Sequence, residues 1–376
     1  FFFKQKTAYE IYQCDWSSDV CSSDLPLAGK IPVTLITGFL GSGKTTLISR
    51  LVRHPDMNRV AVVINEVGEI GIDHDLVSQS SENISLLANG CICCSVRTDL
   101  QETLRDLFAR RQVGEVFDFD RVIIETTGLA DPAPVIQTLI SDTLIGAQFR
   151  LDGLVALVDA VNGRHTLEAM PEAVKQVAVA DRLFISKSDV ATPDELVALQ
   201  QRLSDLNPQA TQALVVHGDV LPGDLIGLGL ASARAGEHTL RFLGESLDAT
   251  ATASSGRYLA KRTTRHDPAI RTLSLRFEQP FAWSAFSSAL DLLTQMRGPD
   301  LLRVKGIVNV EGKPVVVQGV QPLFHPPVEL DRWPSDDHES RLVFITRHIE
   351  ADVIRRLFDV VGQLGQGTPP SVATAS

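Results

Sequence analysis

A glycine-rich segment at positions 38–45 carries the side chains best suited to chemistry on phosphate, in the order G-F-L-G-S-G-K-T. This spacing fits G-x-x-x-x-G-K-[ST], in which backbone N–H groups surround phosphate oxygens, the lysine reaches the β- and γ-phosphates, and the hydroxyl ligates Mg²⁺. We therefore predict a nucleotide-phosphate site. Its candidate binding residues are Gly38, Gly41, Ser42, Gly43, Lys44, Thr45 and Thr46, and Lys44 and Thr45 are also candidate catalytic residues.

Three thiols lie close together further along the chain, in the sequence Cys91-Ile92-Cys93-Cys94. Thiolates are natural ligands for soft or borderline metals, so Cys91, Cys93 and Cys94 predict a metal site. A structural zinc site normally has four protein ligands, and no C-x-x-C pair occurs elsewhere in the chain. The fourth ligand is then a carboxylate, a histidine, water or another protein's residue. The alternative interpretation is three packed, buried thiols.

The carboxyl end of another predicted strand carries Glu125-Thr126-Thr127-Gly128, directly after the apolar run R-V-I-I. In this position Glu125 can reach Mg²⁺ or its water shell, and the Gly128 N–H can face the γ-phosphate. We predict that both belong to the catalytic site. E-x-x-G alone is a weak motif, and its position after a buried strand downstream of the phosphate-binding segment strengthens it.

The sequence Ser186-Lys187-Ser188-Asp189 follows the run R-L-F-I and resembles the guanine-specifying pattern [NST]-K-x-D. Asp189 would accept hydrogen bonds from guanine N1–H and the exocyclic amine, and Lys187 would lie over the base. Serine stands at the first position, where asparagine is commoner. The alternative is an ordinary surface turn.

An acidic, glycine-rich segment, N-E-V-G-E-I-G-I-D, occupies positions 65–73. Its carboxylates suit a mobile switch near Mg²⁺ or a second metal, so Glu66 and Glu69 are candidate metal-site residues. A turn with solvated acids is the alternative. Isolated histidines such as His74, His217 and His325 have no spacing that singles them out as ligands.

Residues 1–25 resemble translated sequencing-adapter DNA, and we expect them to be a non-native leader. They contain two of the five cysteines, so the remaining three all fall in the cluster. An odd, clustered set is a poor disulfide framework and favours a reducing, cytoplasmic location.

The chain is acidic, with a formal net charge of −11. No basic face of the kind that nucleic-acid binders carry is evident, and no apolar run is long enough to span a bilayer. We therefore expect neither nucleic acid nor a membrane among the partners.

The alternation of apolar strand-like and amphipathic helix-like segments predicts an α/β fold. The pattern predicts strands at residues 31–37 and 121–124, an amphipathic helix at residues 96–111 and a turn at residues 311–314. The expected architecture is a P-loop NTPase domain with a mostly parallel, doubly wound sheet, followed by a smaller α+β domain. The expected boundaries are a leader at 1–25, a nucleotide-binding domain at 26–235, a linker at 236–268, a C-terminal domain at 269–362 and a disordered tail at 363–376.

Together these motifs resemble the CobW-type GTPases, relatives of the nickel-insertion GTPases that mature hydrogenase and urease. The resemblance covers residues 31–361. It depends on the segments quoted above, with E-T-T-G-L-A-D-P and N-G-C-I-C-C-S in the first domain, and on L-L-R-V-K-G-I-V, V-V-V-Q-G-V and S-R-L-V-F-I-T-R in the second. Many members carry a histidine-rich linker, whereas this linker holds only His238 and His266.

The resemblance implies a GTP-hydrolysing metallochaperone that uses GTP, Mg²⁺ and Zn²⁺, or in some members Co²⁺ or another divalent ion. It implies Cys91, Cys93 and Cys94 as the metal site and a C-terminal domain that contacts a client metalloprotein of unknown identity. A homodimer that depends on nucleotide or metal is a further candidate partner. No catalytic glutamine or arginine finger is visible, so intrinsic hydrolysis should be slow. Two alternatives stay open: a cobalt-insertion factor for corrin synthesis, and a metal-responsive regulator that only binds nucleotide.

Overall fold

The computed structural model describes residues 29–57, 59–65, 77–78, 84–87, 92–95, 99–228, 270–334 and 336–364. These residues divide into two compact units, one within 29–228 and the other within 270–364. The expected leader and linker lie outside the described residues. The last helix runs to Leu364, so it extends two residues into the segment expected to be a tail.

The sheet of the first unit has the order β3-β4-β5-β2-β6-β1-β7-β8-β9. Neighbours from β5 to β9 in this order pair in parallel, and β4 and β3 add antiparallel strands at one edge. Its strands are β1 (Ile31–Gly38), β2 (Val60–Asn65), β3 (Val77–Ser78), β4 (Ile84–Leu87), β5 (Ile92–Ser95), β6 (Arg121–Thr126), β7 (Phe149–Asp159), β8 (Arg182–Ser186) and β9 (Thr211–Val215).

Helices separate most of the parallel strands along the chain. They are α1 (Lys44–Leu51), α2 (Leu100–Gln112), α3 (Ala133–Ser141), α4 (Thr143–Gln148), α5 (Gly163–Ala169), α6 (Pro171–Val179) and α7 (Pro193–Leu206). The predicted α/β class with a mostly parallel sheet is confirmed.

The central strands are apolar along almost their whole length because both faces of the sheet are covered. In β1, for example, Val33, Leu35 and Ile36 are fully buried, although they point to alternate faces. Leu47 and Leu51 of α1 belong to the same core cluster as Ile36. The carboxyl ends of the strands are thereby fixed relative to one another.

The second unit contains an antiparallel sheet of order β10-β15-β11-β12-β13, with β14 beside β12. Two helices contribute to its core, in which Phe281, Phe286 and Phe358 pack together. The elements are β10 (Ile270–Phe277), α8 (Trp283–Arg297), β11 (Leu301–Val310), β12 (Lys313–Val320), β13 (Leu323–Phe324), β14 (Val328–Glu329), β15 (Ser340–Arg347) and α9 (Ala351–Leu364). This is the smaller α+β domain that the sequence predicts.

Two sequence-based boundaries need correction. The turn expected at residues 311–314 is confined to Glu311 and Gly312, whose positive φ angles of 53° and 93° suit a two-residue hairpin, and Pro314 already pairs with Asn309. The helix expected from residue 96 begins at Leu100, because the extended Asp99 caps it by accepting a hydrogen bond from the Gln101 N–H at 2.9 Å. Within the described residues, no helix is long and apolar enough to cross a membrane.

A buried ion-pair cluster ties β6 to β7. Asp152 is 1% exposed, and its carboxylate lies 2.7 Å from Arg121 Nη1 and 2.9 Å from Arg150 Nη1 and accepts a hydrogen bond from the Gly227 N–H. Burial alone would raise the pKa of Asp152, but the two guanidinium groups and the Gly227 N–H bring it below its ordinary value.

We expect Asp152→Ala to lower the free energy of unfolding of the first unit by about 3–5 kcal/mol, because it leaves two largely covered guanidinium groups, with side chains 11% and 19% exposed, without their anion. The loss should be constant near neutral pH. Since the pKa of Asp152 is lower in the folded state, its contribution begins to decline as pH falls below the unfolded-state value of about 4 and is lost once pH falls through the lower folded-state pKa, so wild type and variant should approach each other over that range. Hydrogen exchange of β6 and β7 peptides in increasing urea measures this.

Asp118→Ala is the matched control. Asp118 also pairs with two arginines, Arg59 and Arg111, but its side chain is 69% exposed. Exposed pairs contribute at most about 1 kcal/mol. Equal losses in the two variants would contradict the assignment of Asp152 as a buried anchor.

Candidate functional site

The predicted phosphate-binding segment connects β1 to α1 at the carboxyl edge of the sheet. Gly38 ends β1, Gly43 is the N-cap of α1, and Lys44 is the first helical residue. Gly43 has φ 93°, a left-handed conformation that a side chain would strain. The backbone N–H groups at the start of α1 make this loop a natural anion site.

Lys44 is the buried cation of the loop. It is 6% exposed, and its Nζ donates hydrogen bonds to the carbonyl oxygens of Gly38 at 2.8 Å and Phe39 at 3.3 Å. A phosphate oxygen is a stronger partner for an ammonium group than a neutral carbonyl is. A phosphate bound at the loop could therefore replace these carbonyl oxygens as the hydrogen-bond partner of the ammonium group.

Thr45, in the first turn of α1, contacts Glu125 near the carboxyl end of β6. The Thr45 hydroxyl donates to Glu125 Oε1 at 3.1 Å, and Glu125 is 1% exposed. Pairing of Ile36 with Glu125 in the parallel β1–β6 register brings the two ends together. A hydroxyl and a carboxylate are hard oxygen ligands, so this pair fits Mg²⁺.

Gly128 packs directly on the phosphate-binding loop. A Cβ added to Gly128 would stand 2.6 Å from the backbone nitrogen of Leu40, so only glycine allows this approach. On its other side, Gln176 Nε2 of α6 donates to the carbonyl oxygens of Gly128 at 3.1 Å and Ala130 at 3.0 Å. The segment after β6 is thus held between the loop and α6.

Ser186 ends β8 and is joined to the same loop. Its hydroxyl donates to the Ser42 carbonyl oxygen at 2.7 Å in a buried environment. The serine that departs from the commoner asparagine therefore links the predicted guanine-recognition turn to the phosphate-binding loop.

Lys187 and Asp159 form a close ion pair at the adjacent ends of β8 and β7. Lys187 Nζ lies 2.6 Å from Asp159 Oδ2. Burial would raise the pKa of Asp159, but hydrogen bonds from Lys187, Asn162 and Val161 lower it below its ordinary value. Asp159 is therefore a carboxylate at neutral pH.

Asp189 follows Lys187 by two residues and lies beside the loop that follows β9. Its carboxylate is 3.8 Å from His217 Nε2, and its side chain is 35% exposed. Gly218, which follows His217, lies against α1, and a Cβ added to Gly218 would stand 3.0 Å from the Thr46 carbonyl oxygen. Lys187, Asp189 and Thr46 therefore lie at the same edge of the sheet.

The predicted metal residues are described only in part. Cys93 and Cys94 lie in β5, where they pair with Val62 and Val63 of β2. Cys91, Glu66 and Glu69 lie outside the described residues. In the part of the chain that is described, His, Cys, Asp and Glu side chains form no group of three or more that could hold a metal ion. The cysteine site stays a prediction.

The register nevertheless relates the cysteine strand to the nucleotide site. Strand β2 lies between β5 and β6, and Ile64 pairs with Ser95 on one side and with Glu125 on the other. Two strand spacings of about 4.8 Å separate the backbones of β5 and β6.

Sequence analysis missed Asp159 and Gln176. Asp159 had an available signal, because it ends the apolar run L-V-A-L-V as Glu125 ends R-V-I-I. Gln176 had none, since a buried glutamine on an amphipathic helix looks like any polar residue.

The comparisons with known proteins agree with this architecture. Residues 32–213 match the CobW/HypB/UreG nucleotide-binding domain, and residues 270–361 match the cobalamin synthesis protein CobW C-terminal domain. The zinc chaperone YjiA of Escherichia coli is 34% identical over 331 residues, which cover 87% of this chain and 98% of that protein. The zinc chaperone CobW of Pseudomonas aeruginosa is 30% identical over 368 residues, which cover 86% of this chain and 90% of that protein.

A solved structure extends the likeness to three dimensions. The crystal structure of the Zn(II)-bound YjiA GTPase from Escherichia coli matches with a TM-score of 0.70 at 31% identity, over 88% of this chain and 99% of that chain. The family resemblance predicted from the motifs is confirmed, and the chain belongs to the CobW/HypB/UreG family of P-loop GTPases.

Proposed function

We propose that this protein is a GTP-hydrolysing metallochaperone that binds zinc at Cys91, Cys93 and Cys94 and couples its nucleotide state to metal transfer to a client protein. The observation that carries the coupling is the position of β2, which separates the strand of Cys93 and Cys94 from the strand that ends near Glu125. Relatives named zinc chaperones support zinc as the metal.

The phosphate site supports hydrolysis by electrostatic stabilisation rather than covalent chemistry. Lys44 exchanges its bonds to the loop carbonyls for the β- and γ-phosphates, and the Gly128 N–H faces the γ-phosphate. Thr45 and Glu125 would hold Mg²⁺, which neutralises phosphate charge when bound.

The base site supports guanine. Asp189 accepts from the N1–H and the exocyclic amine, and Lys187 lies over the ring. Adenine lacks those two donors in that arrangement. The bond from Ser186 to Ser42 ties base recognition to the phosphate loop, so both ends of the nucleotide are bound by one rigid edge.

The metal site supports transfer because three thiolates leave a fourth position open. Glu66 and Glu69 follow β2 directly and belong to the proposed link between Glu125 and the cysteines. The proposal includes a client reached through the C-terminal domain, and domains at 26–235 and 269–362.

The first expectation concerns the base. Asp189→Ala should abolish the preference for GTP over ATP, because loss of a charged hydrogen-bond acceptor costs about 1.5–3 kcal/mol, or roughly tenfold or more in affinity. Competition of each nucleotide against a fluorescent GDP analogue measures this. Asp194→Ala, an exposed carboxylate in the first turn of α7, should keep the preference. Equal competition by ATP and GTP in the wild type would remove the guanine assignment.

The second expectation joins metal and nucleotide. Zinc should bind with release of protons, since thiolates are the ligands, and its affinity should differ between the GTP and GDP states by a coupling of about 1–3 kcal/mol. Replacing Cys91, Cys93 and Cys94 by serine should remove zinc binding and coupling together while GTP still binds. Titration against a chromophoric chelator in each nucleotide state measures both.

Serine at Cys14 and Cys21 is the matched control, because it removes two thiols and leaves the cluster intact. Equal zinc affinity in the two nucleotide states would leave a GTPase with a passive metal site. Tight zinc binding that survives the triple substitution would move the metal elsewhere, and zinc and GTP binding without turnover would favour the regulator.

A further inference from the structure

Asp159 accepts four hydrogen bonds from protein groups, about as many as a carboxylate can accept. Its Oδ1 accepts from the N–H groups of Val161 at 2.8 Å and Asn162 at 3.2 Å. Its Oδ2 accepts from Asn162 Nδ2 at 3.2 Å and from Lys187 Nζ at 2.6 Å. The side chain of Asp159 is 11% exposed, so its position is set by the protein and not by solvent.

The backbones on both sides of this ion pair are fixed independently of it. The Ala160 N–H donates to the Ser186 carbonyl oxygen at 2.8 Å, which joins the ends of β7 and β8. Lys187 has φ 56°, a left-handed conformation that a lysine adopts only when its surroundings impose it. The ion pair therefore joins two rigid strand ends.

The lysine side chain is the part that needs restraint. Lys187 is 44% exposed along its side chain, and ordering a free lysine side chain costs rotamer entropy. If Asp159 already holds the ammonium group, the side chain has lost this entropy before a ligand arrives, and the ligand binds more tightly.

We propose that Asp159 is a positioning residue for guanine recognition, which anchors the ammonium of Lys187 so that the lysine stem is in place over the base site before nucleotide binds. This inference depends on the proposed GTP function, because Lys187 and Asp189 must form the base site. Two other roles for Asp159 predict different nucleotide affinities in the variants below. In the first, Asp159 only caps the turn that leads into α5. In the second, Asp159 competes with the nucleotide for Lys187.

A double-mutant cycle separates these roles. The affinity for a fluorescent GDP analogue is measured for wild type, Asp159→Asn, Lys187→Met and the double variant. Lys187→Met keeps an apolar stem and removes the ammonium. A full charged hydrogen bond would be worth roughly tenfold in affinity, and the exposure of Lys187 reduces this, so each single variant should bind about fivefold more weakly. In the Lys187→Met background, Asp159→Asn should change affinity less than about twofold.

Asn162→Ala is the matched control, because it removes the amide donor to the same Asp159 oxygen and leaves the ammonium. It should bind GDP within about twofold of wild type. Equal losses from Asp159→Asn in both backgrounds, together with a lower melting temperature, would overturn the proposal in favour of a structural cap. Tighter binding by Asp159→Asn would overturn it in favour of competition.

Two further outcomes keep the test decisive. If Asp159→Asn fails to fold, Lys187→Met decides alone, and wild-type affinity in that variant overturns the proposal. If wild type itself binds ATP as well as GTP, the base site and the proposed GTP function fail together. Selective guanine binding with an additive cycle removes only the role of Asp159.

Discussion

The parallel register of the first sheet is the constraint on which the site depends. Because β6, β1, β7 and β8 run in the same direction, their carboxyl ends deliver Glu125, the phosphate-binding loop, Asp159 and Lys187 to one edge. Each strand is buried on both faces, so none of these ends can shift without opening the core. The hydrogen bond from Ser186 to Ser42 and the contact of Gly128 with Leu40 then connect neighbouring ends.

Much of this could be predicted because buried parallel strands are apolar throughout. The runs at residues 31–37 and 121–124 predicted strands observed as Ile31–Gly38 and Arg121–Thr126. Strand β9 escaped prediction, since Thr211–Val215 is a partly exposed edge strand whose first two residues are polar. The helix boundary at Leu100 depended on the cap by Asp99, a local hydrogen bond that periodicity does not report.

The candidate site likewise contains residues that a local sequence pattern predicts and partners that only the fold brings to them. Lys44, Thr45, Glu125, Lys187 and Asp189 belong to motifs with fixed spacing, and the structure brings them to one edge. The partners of these residues come from other strands and helices. Asp159 pairs with Lys187, and Gln176 donates a hydrogen bond to the Gly128 carbonyl oxygen. Both contacts join segments far apart in sequence, so no local pattern encodes them. Serine stands at position 186 where asparagine is commoner, and the physical role of its hydroxyl, which donates to the Ser42 carbonyl oxygen, depends on a residue far away in sequence.

Coupling between the nucleotide and the cysteines, as proposed, is constrained by the strand between them. Val62 and Val63 of β2 are fully buried and pair with β5 and β6 at once, so bending this strand would break both ladders. Close-packed interiors move between discrete arrangements and do not deform continuously. A signal from Glu125 to the thiols is therefore expected to travel around the end of β2, through the chain that follows Asn65, and this is where the sequence places Glu66 and Glu69.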